Sequence, residues 1–269
     1  MHRHPPNSAA CVVLALLLGL LVAACAAVPP LPDTKVLIFG EQHDQPDHQR
    51  QVAAAVTQLA HSGRLGALVL EMAEQGRSTA HLPRDADAAQ VRAALGWVDW
   101  DWPTYEEVVM AAVRAAVPVL GGNLPRSRLR EVMADTTLDS EFSNEVRALI
   151  ATAVREGHCG LLPAQQEPGM VRVQMARDRM LAQTIVQAAA LPPGGRRVLL
   201  LTGAQHASRD RGVPMHLARL GMAVGVHVVL FGADDAGLSG DEQRSAQITP
   251  RPDPCEGLRR QLEKPRPAS

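Results

Sequence analysis

Two short elements in the chain carry residue types suited to chemistry: Gly40-Glu41-Gln42-His43 and Gly203-Ala204-Gln205-His206. Each places a glycine, which permits a tight turn, three residues ahead of an imidazole. Glu71 and Asn123 follow aliphatic runs in the same manner. Two neutral imidazoles and a carboxylate, His43, His206 and Glu71, make a set that suits a divalent metal. The same groups would serve equally as acid–base residues, with Glu41 a candidate general base, or as hydrogen-bond partners of a bound cofactor. His48 adds another imidazole, four residues before Val52 and so on the packed face of the helical segment that follows. Asp44 and Asp47 are accounted for as acids at a helix N-terminus. Neither a His-Glu-x-x-His motif nor a Gly-x-Ser-x-Gly elbow occurs, which argues against the common zinc-protease and serine-hydrolase classes.

The elements that must position these residues are legible as aliphatic runs. Residues 35–39, 67–70, 117–120, 198–201 and 226–230 are continuous rather than alternating, as expected of strands covered on both faces. Helical segments are predicted between them over 46–61, 104–116, 124–133, 140–155 and 170–189. Pro192-Pro193-Gly194-Gly195 ends the last of these. Strand–helix alternation predicts an α/β domain, with a largely parallel sheet and helices on both faces. Three helical segments in succession between the third and fourth strands predict a helical insertion or cap. In open α/β sheets ligands bind beyond the carboxyl ends of the strands, and each chemical element follows such an end.

Composition narrows the function classes. The 269 residues are 46% hydrophobic and 20% charged, enough for a sizeable core. A net charge of −1 argues against a nucleic-acid partner. Aromatics are only 3%, which disfavours base-stacking platforms, and Tyr105 is the sole tyrosine. The N-terminus reads as an address: an apolar run from Cys11 to Ala24, too short to span a bilayer, ends in Val22-Ala23-Ala24-Cys25. That is a bacterial lipobox, so residues 1–24 are expected to be a lipoprotein signal peptide and Cys25 the lipidated residue. Residues 25–33 then form a tether, residues 34–232 the α/β domain and residues 233–269 a polar, mostly disordered tail. The expected location is the cell envelope, lipid-anchored, with Ala26 fitting sorting to the outer membrane of a Gram-negative bacterium. Of the remaining cysteines, Cys255 sits in the Pro-rich tail, so a bridge to Cys159 is not expected.

Beyond these patterns, the ordered set of motifs resembles the ChaN-like haem-binding lipoprotein family. The residues that carry the resemblance are Gly40 to His48, Leu70-Glu71-Met72, Trp100 to Tyr105, Asn123-Leu124-Pro125-Arg126, His158-Cys159-Gly160, Gln174 to Met180, and Gly203 to His206 with Gly212-Val213-Pro214. It covers roughly residues 34–230 and implies haem as ligand, a role in haem or iron uptake, an outer-membrane haem receptor as partner and a homodimer sandwiching haem. It implies Tyr105 as an axial ligand, an anionic oxygen suited to ferric iron, with Met110 or the histidines in support. His43, His48, Glu71, His158, Arg177 and His206 complete the implied cofactor-binding set. Trp97, Trp100 and Trp102 either wall a porphyrin or pack the cap. Gln174, Arg177 and Asp178 share a helix face, where they either orient site groups, hold a propionate or form a structural network. The wider superfamily includes Tiki-type metalloproteases and erythromycin-esterase-like hydrolases, so the alternative is a metal-dependent envelope hydrolase holding Mn, Co or Zn at His43, Glu71 and His206.

Overall fold

The computed structural model describes residues 31–43, 45–190, 195–232 and 237–263. The signal segment, Cys25 and Asp44 lie outside the described residues. Six parallel strands make one sheet: β1 (Val36–Glu41), β2 (Leu65–Glu74), β3 (Val119–Asn123), β4 (Arg197–Gly203), β5 (Val226–Phe231) and β6 (Glu242–Arg244). Their order is β3-β2-β4-β1-β5-β6, so β4 lies between β1 and β2 and pairs with both. The strand direction reverses nowhere, and each aliphatic run is buried on both faces, as its composition requires.

Helices cover both faces. On one lie α1 (Pro46–His61) and α3 (Trp102–Arg114), which contact each other; α2 (Ala88–Leu95) precedes α3. Phe39 and Phe231 stack at 5.7 Å on this face, and His48 of α1 stacks on Phe231 at 4.8 Å. On the opposite face the long helix α6 (Glu167–Ala190) packs with α8 (Val213–Arg219) over Val36, Ile38, Val69 and Leu200. Full burial of each such side chain contributes roughly 1.5–3 kcal/mol. The expected helical insertion is present as α4 (Leu129–Ala134) and α5 (Asn144–Gly157). Each packs on α6 through its own small apolar cluster. Helix α6 itself belongs to the sheet face, because Leu181, Ala182 and Ile185 join the central core. A four-residue helix α7 (Ala204–Ala207) directly follows β4.

Two expectations fail at the C-terminal end. The segment expected to be a disordered tail adds β6 to the sheet edge, and Pro254–Glu263 form helix α9. The Asp241 carboxylate accepts from the Val228 backbone N–H and from Arg209, which fastens its start. Cys159 and Cys255 are also bridged, with their Cα atoms 5.5 Å apart. The Pro-rich stretch returns to the domain because its polar groups find partners on α1, a tertiary fact that its composition does not reveal. A bridge closing 96 residues is worth on the order of 4–5 kcal/mol by chain-entropy accounting.

One glycine is required by close approach rather than by its dihedral angle. Beyond Leu70 the β2–β3 pairing slips, resuming at Glu74 opposite Asn123. At the slip a Cβ on Gly121 would lie 2.1 Å from the carbonyl oxygen of Glu74. This bulge carries Glu71 past the regular ladder and aims it over the sheet edge. Gly121→Ala should therefore destabilise the fold by roughly 1–3 kcal/mol in urea unfolding, the range for forced overpacking. Gly157→Ala, where a Cβ meets nothing within 4 Å, should cost nothing measurable in the same experiment.

Candidate functional site

The carboxyl ends of β1, β2 and β4 bring the predicted residues together. Register sets Glu41 opposite Gly203, so the two Gly-x-Gln-His elements leave the sheet side by side. Their histidines nevertheless take different positions. After β4 the chain enters α7 at once, and His206 is buried between Glu71 and Asp178. After β1 the His43 side chain instead retains 33% exposure.

His206 forms the inner half of the site. Its Nδ1 lies 2.6 Å from Asp178 Oδ1, its Nε2 lies 3.5 Å from Glu71 Oε1, and Gln174 Nε2 approaches the ring at 3.2 Å. Glu71 Oε2 accepts from Thr202 Oγ1 at 2.7 Å and from the Gly203 backbone N–H at 2.8 Å. Burial alone would raise the Glu71 pKa. The cationic character of His206 and His43, with those two hydrogen bonds, instead holds it down to about 2. Burial lifts Asp178 to about 6 against the pull of His206, and the charge of Glu71 adds to the lift. Burial also works against charge on His206, yet Glu71 and Asp178 beside it raise its pKa. The three side chains form one electrostatic unit, an imidazole held between two carboxyl groups.

His43 forms the outer half. Its Nδ1 is 2.9 Å from Glu41 Oε1, and that oxygen also accepts from the Tyr105 hydroxyl at 2.8 Å. Gln49 donates to the other oxygen, Oε2. Burial raises the Glu41 pKa, and the bonds from His43 and Tyr105 offset this only in part. A Cβ on Gly203 would come within 2.9 Å of His43 Nε2, so the glycine makes room for the ring. Trp100 meets that ring edge-on at 4.8 Å.

The two halves border one cleft of about 490 Å³, whose walls include Met72, Val98, Trp100, Leu124, Arg126 and Arg177. That volume falls within the range of small-molecule sites, roughly 300–1,000 Å³. Arg126 is paired with Asp99 at the rim. The Arg177 Nε is shut off from solvent and has no hydrogen-bond partner among the described residues.

The other predicted residues take different places. Tyr105 is fully buried behind Trp97 and Trp100, and its hydroxyl is engaged by Glu41 rather than presented to the cleft. Met110 is likewise buried. His48 is enclosed, its Nδ1 accepting the Gln42 N–H at 3.1 Å, and burial lowers its pKa. It therefore braces the turn that carries His43. His158 ends α5 with Nδ1 2.7 Å from the Val154 carbonyl, and it is not among the residues lining the cleft. Trp97 and Trp102 pack edge to face at 5.0 Å, which leaves Trp100 as the tryptophan that walls the cleft. Gln49 and Thr202 were missed by sequence reasoning; the available signal was a polar Gln49 on an otherwise apolar helix face. The divalent-metal reading of His43, Glu71 and His206 gains no support. Among the described residues no group of three His, Cys, Asp or Glu side chains is arranged to hold an ion. Glu71 and His206 spend their facing atoms on each other.

Residues 27–217 match the model of the family described as haem-binding uptake, Tiki superfamily, ChaN. The chain belongs to this family. Among solved structures, ChaN of Campylobacter jejuni, reported with cofacial haem binding, is similar over 81% of this chain and 89% of its own. Its identity is 22% and its TM-score 0.67, a likeness of fold. Looser likenesses, too distant to inform the site, are to a mutant erythromycin esterase EreC (13% identity, 84% of this chain and 78% of that one, TM-score 0.45) and the type III effector HopBA1 (12%, 80% and 88%, TM-score 0.43). No curated protein sequence matches the chain. The family match stops before β5, so β5, β6 and the C-terminal segment lie beyond it.

The buried carboxylate gives the site a pH signature. Because the folded pKa of Glu71 lies below its unfolded value near 4.5, its contribution is present above pH 4.5 and is lost as pH falls toward 2. Wild-type protein should lose on the order of 3 kcal/mol from this group across that window. Glu71→Gln should be less stable at pH 7 and show a flatter acid limb. Urea midpoints measured at pH 7, 4.5 and 3 test this, and parallel limbs for the two proteins would refute the assignment.

Proposed function

We propose that this protein is a lipid-anchored haem-binding protein of haem or iron uptake in the cell envelope. One observation carries the reading: the cleft at the carboxyl edge joins an imidazole, His43, to the side chains of Trp100, Val98 and Met72 and to the guanidinium of Arg177. These are the groups a porphyrin needs, a donor for iron, surfaces for the ring and a cation for a propionate. Family membership supports the same ligand. When bound, haem would supply an iron that accepts a protein donor. His43, partly exposed at the cleft, would hold it, with Glu41 orienting the ring as a carboxylate orients a metal-bound histidine. Tyr105 acts one step behind, through its hydrogen bond to Glu41. A homodimer holding haem between two such clefts, and an outer-membrane receptor as partner, follow from the same reading.

Adding ferric haem to the purified protein should give the absorption band of ligated haem. His43→Ala should abolish that band, whereas Tyr105→Phe should shift it and weaken binding by about tenfold, as loss of an outer hydrogen bond does. The reverse pattern, loss in Tyr105→Phe and retention in His43→Ala, would assign the iron to Tyr105 and require the Trp97–Trp100 side to open. Unchanged spectra with and without protein would end the haem reading.

Anchoring is proposed at Cys25. Among the described residues no helix is long and apolar enough to cross a membrane. Replacing residues 1–25 by a cleavable non-lipoprotein signal should therefore release folded domain from membranes, while Cys25→Ser alone should leave precursor held by its leader. Tight membrane fractionation of the first variant at high salt would overturn the lipid anchor.

A further inference from the structure

The segment that follows β6 runs along the edge of the sheet that bears the cleft. Gln51 donates to the Ser245 carbonyl at 3.1 Å, and Asp47 accepts from the Gln247 N–H at 2.9 Å. Gln45 and Thr249 exchange two hydrogen bonds, at 2.8 and 3.2 Å. Arg251 then donates to the carbonyl of His43 at 2.5 Å. Four residues later Cys255 is bridged to Cys159, in the turn that follows Gly157. His43 and Gly157 both border the cleft. The strap therefore ties one rim to another through only four residues, a span of at most about 14 Å.

The rim it secures is otherwise held mainly through α6, to which Arg155 also pairs through Glu167. Helix α5 packs chiefly on α6, through Ile150 and Val154 against Val171 and Met175. The disulfide is a covalent link from the end of α5 to chain that lies on α1, across the cleft. Both cysteines are half-buried, within reach of a small dithiol. The whole strap lies beyond residues 27–217, outside the portion that defines the family.

We infer that residues 245–255 are a clamp that sets the width of the ligand cleft, latched by the Cys159–Cys255 disulfide. A dithiol reductant opens the latch: its thiolate attacks one cysteine sulfur, the S–S bond breaks, and a second attack leaves two cysteine thiols and an oxidised, cyclic disulfide of the reductant. Two electrons and two protons pass to the protein. The strap then keeps only its hydrogen bonds to α1 and to His43, and α5 is free to move away from the opposite rim. The ligand side of this inference rests on the haem-binding reading. The cleft is then a site that retains haem when oxidised and yields it when reduced.

The test compares oxidised full-length protein, the same protein reduced by dithiothreitol, Cys255→Ser, and Arg251→Ala, each checked for folding by circular dichroism. Amide hydrogen exchange without ligand should rise at residues 157–160 and 245–255 on reduction and in Cys255→Ser. Transfer of ferric haem to apomyoglobin should accelerate about tenfold, since such changes fall mainly on dissociation rates. Arg251→Ala should move both readouts in the same direction by less. Unchanged exchange at both rims after the disulfide is lost would overturn the clamp, whether or not haem binds. Equal haem transfer rates in oxidised and reduced protein would overturn it as a control on ligand release. Failure of every form to bind haem would instead refute the haem-binding reading and leave hydrogen exchange to decide the clamp.

Discussion

The carboxylate of Glu71 is the constraint on which the site depends. It is buried in β2 where the pairing with β3 slips, accepts from the Gly203 backbone and from Thr202 at the end of β4, and faces His206. A buried charge of this kind is costly unless its lone pairs are filled and an opposite charge is near. Both conditions are met only if β2 and β4 are adjacent and in register, and if α7 turns the chain immediately after β4. Local structure, packing and electrostatics thus converge on one oxygen pair. Asp178 extends the arrangement into α6, so the helix that covers the sheet is also fastened to the chemistry at its edge.

A second carboxylate, Glu41, plays the corresponding part for the outer half. It gathers Tyr105, Gln49 and His43 from three different elements. The sole tyrosine is thereby explained without exposure: its hydroxyl satisfies a buried acceptor, and its ring lies against Trp97 and Trp100. The two halves differ in what they can offer a ligand. His206 is committed to its carboxylates, whereas His43 stands at the boundary between the buried network and the cleft. Rigid support behind a partly exposed donor is the usual way a scaffold holds a binding group in a fixed direction.

The periphery follows a different logic. Helices α4 and α5 are attached to α6 by small clusters rather than by the central core, and the C-terminal strap holds the end of α5 from the other side. A rigid sheet edge and a lightly fastened cap give a cleft with one fixed wall and one adjustable wall. Local stability differs across such a structure, because a cap with few buried apolar contacts opens at lower cost than the core.

The parallel sheet was legible in the residues alone, because five uninterrupted aliphatic runs can be buried only between two layers of helices. The sequence also indicated that chemistry gathers at the carboxyl edge, since Glu71, His43 and His206 each follow such a run. It did not distinguish the two Gly-x-Gln-His copies. Their different fates depend on α7 and on Asp178, a residue 28 positions away in the chain from His206. Nor did it place Tyr105 behind Glu41, because the burial of a tyrosine depends on tryptophans and a strand end that meet it only in three dimensions. The strap was missed for the same reason. A Pro-rich, polar segment lacks an apolar pattern, and its order comes from hydrogen bonds to Gln45, Asp47 and His43 and from a cysteine pairing across 96 residues. Periodicity records what a segment buries, so buried strands were readable; polar partnerships between distant residues leave no periodicity and are set only when the chain folds.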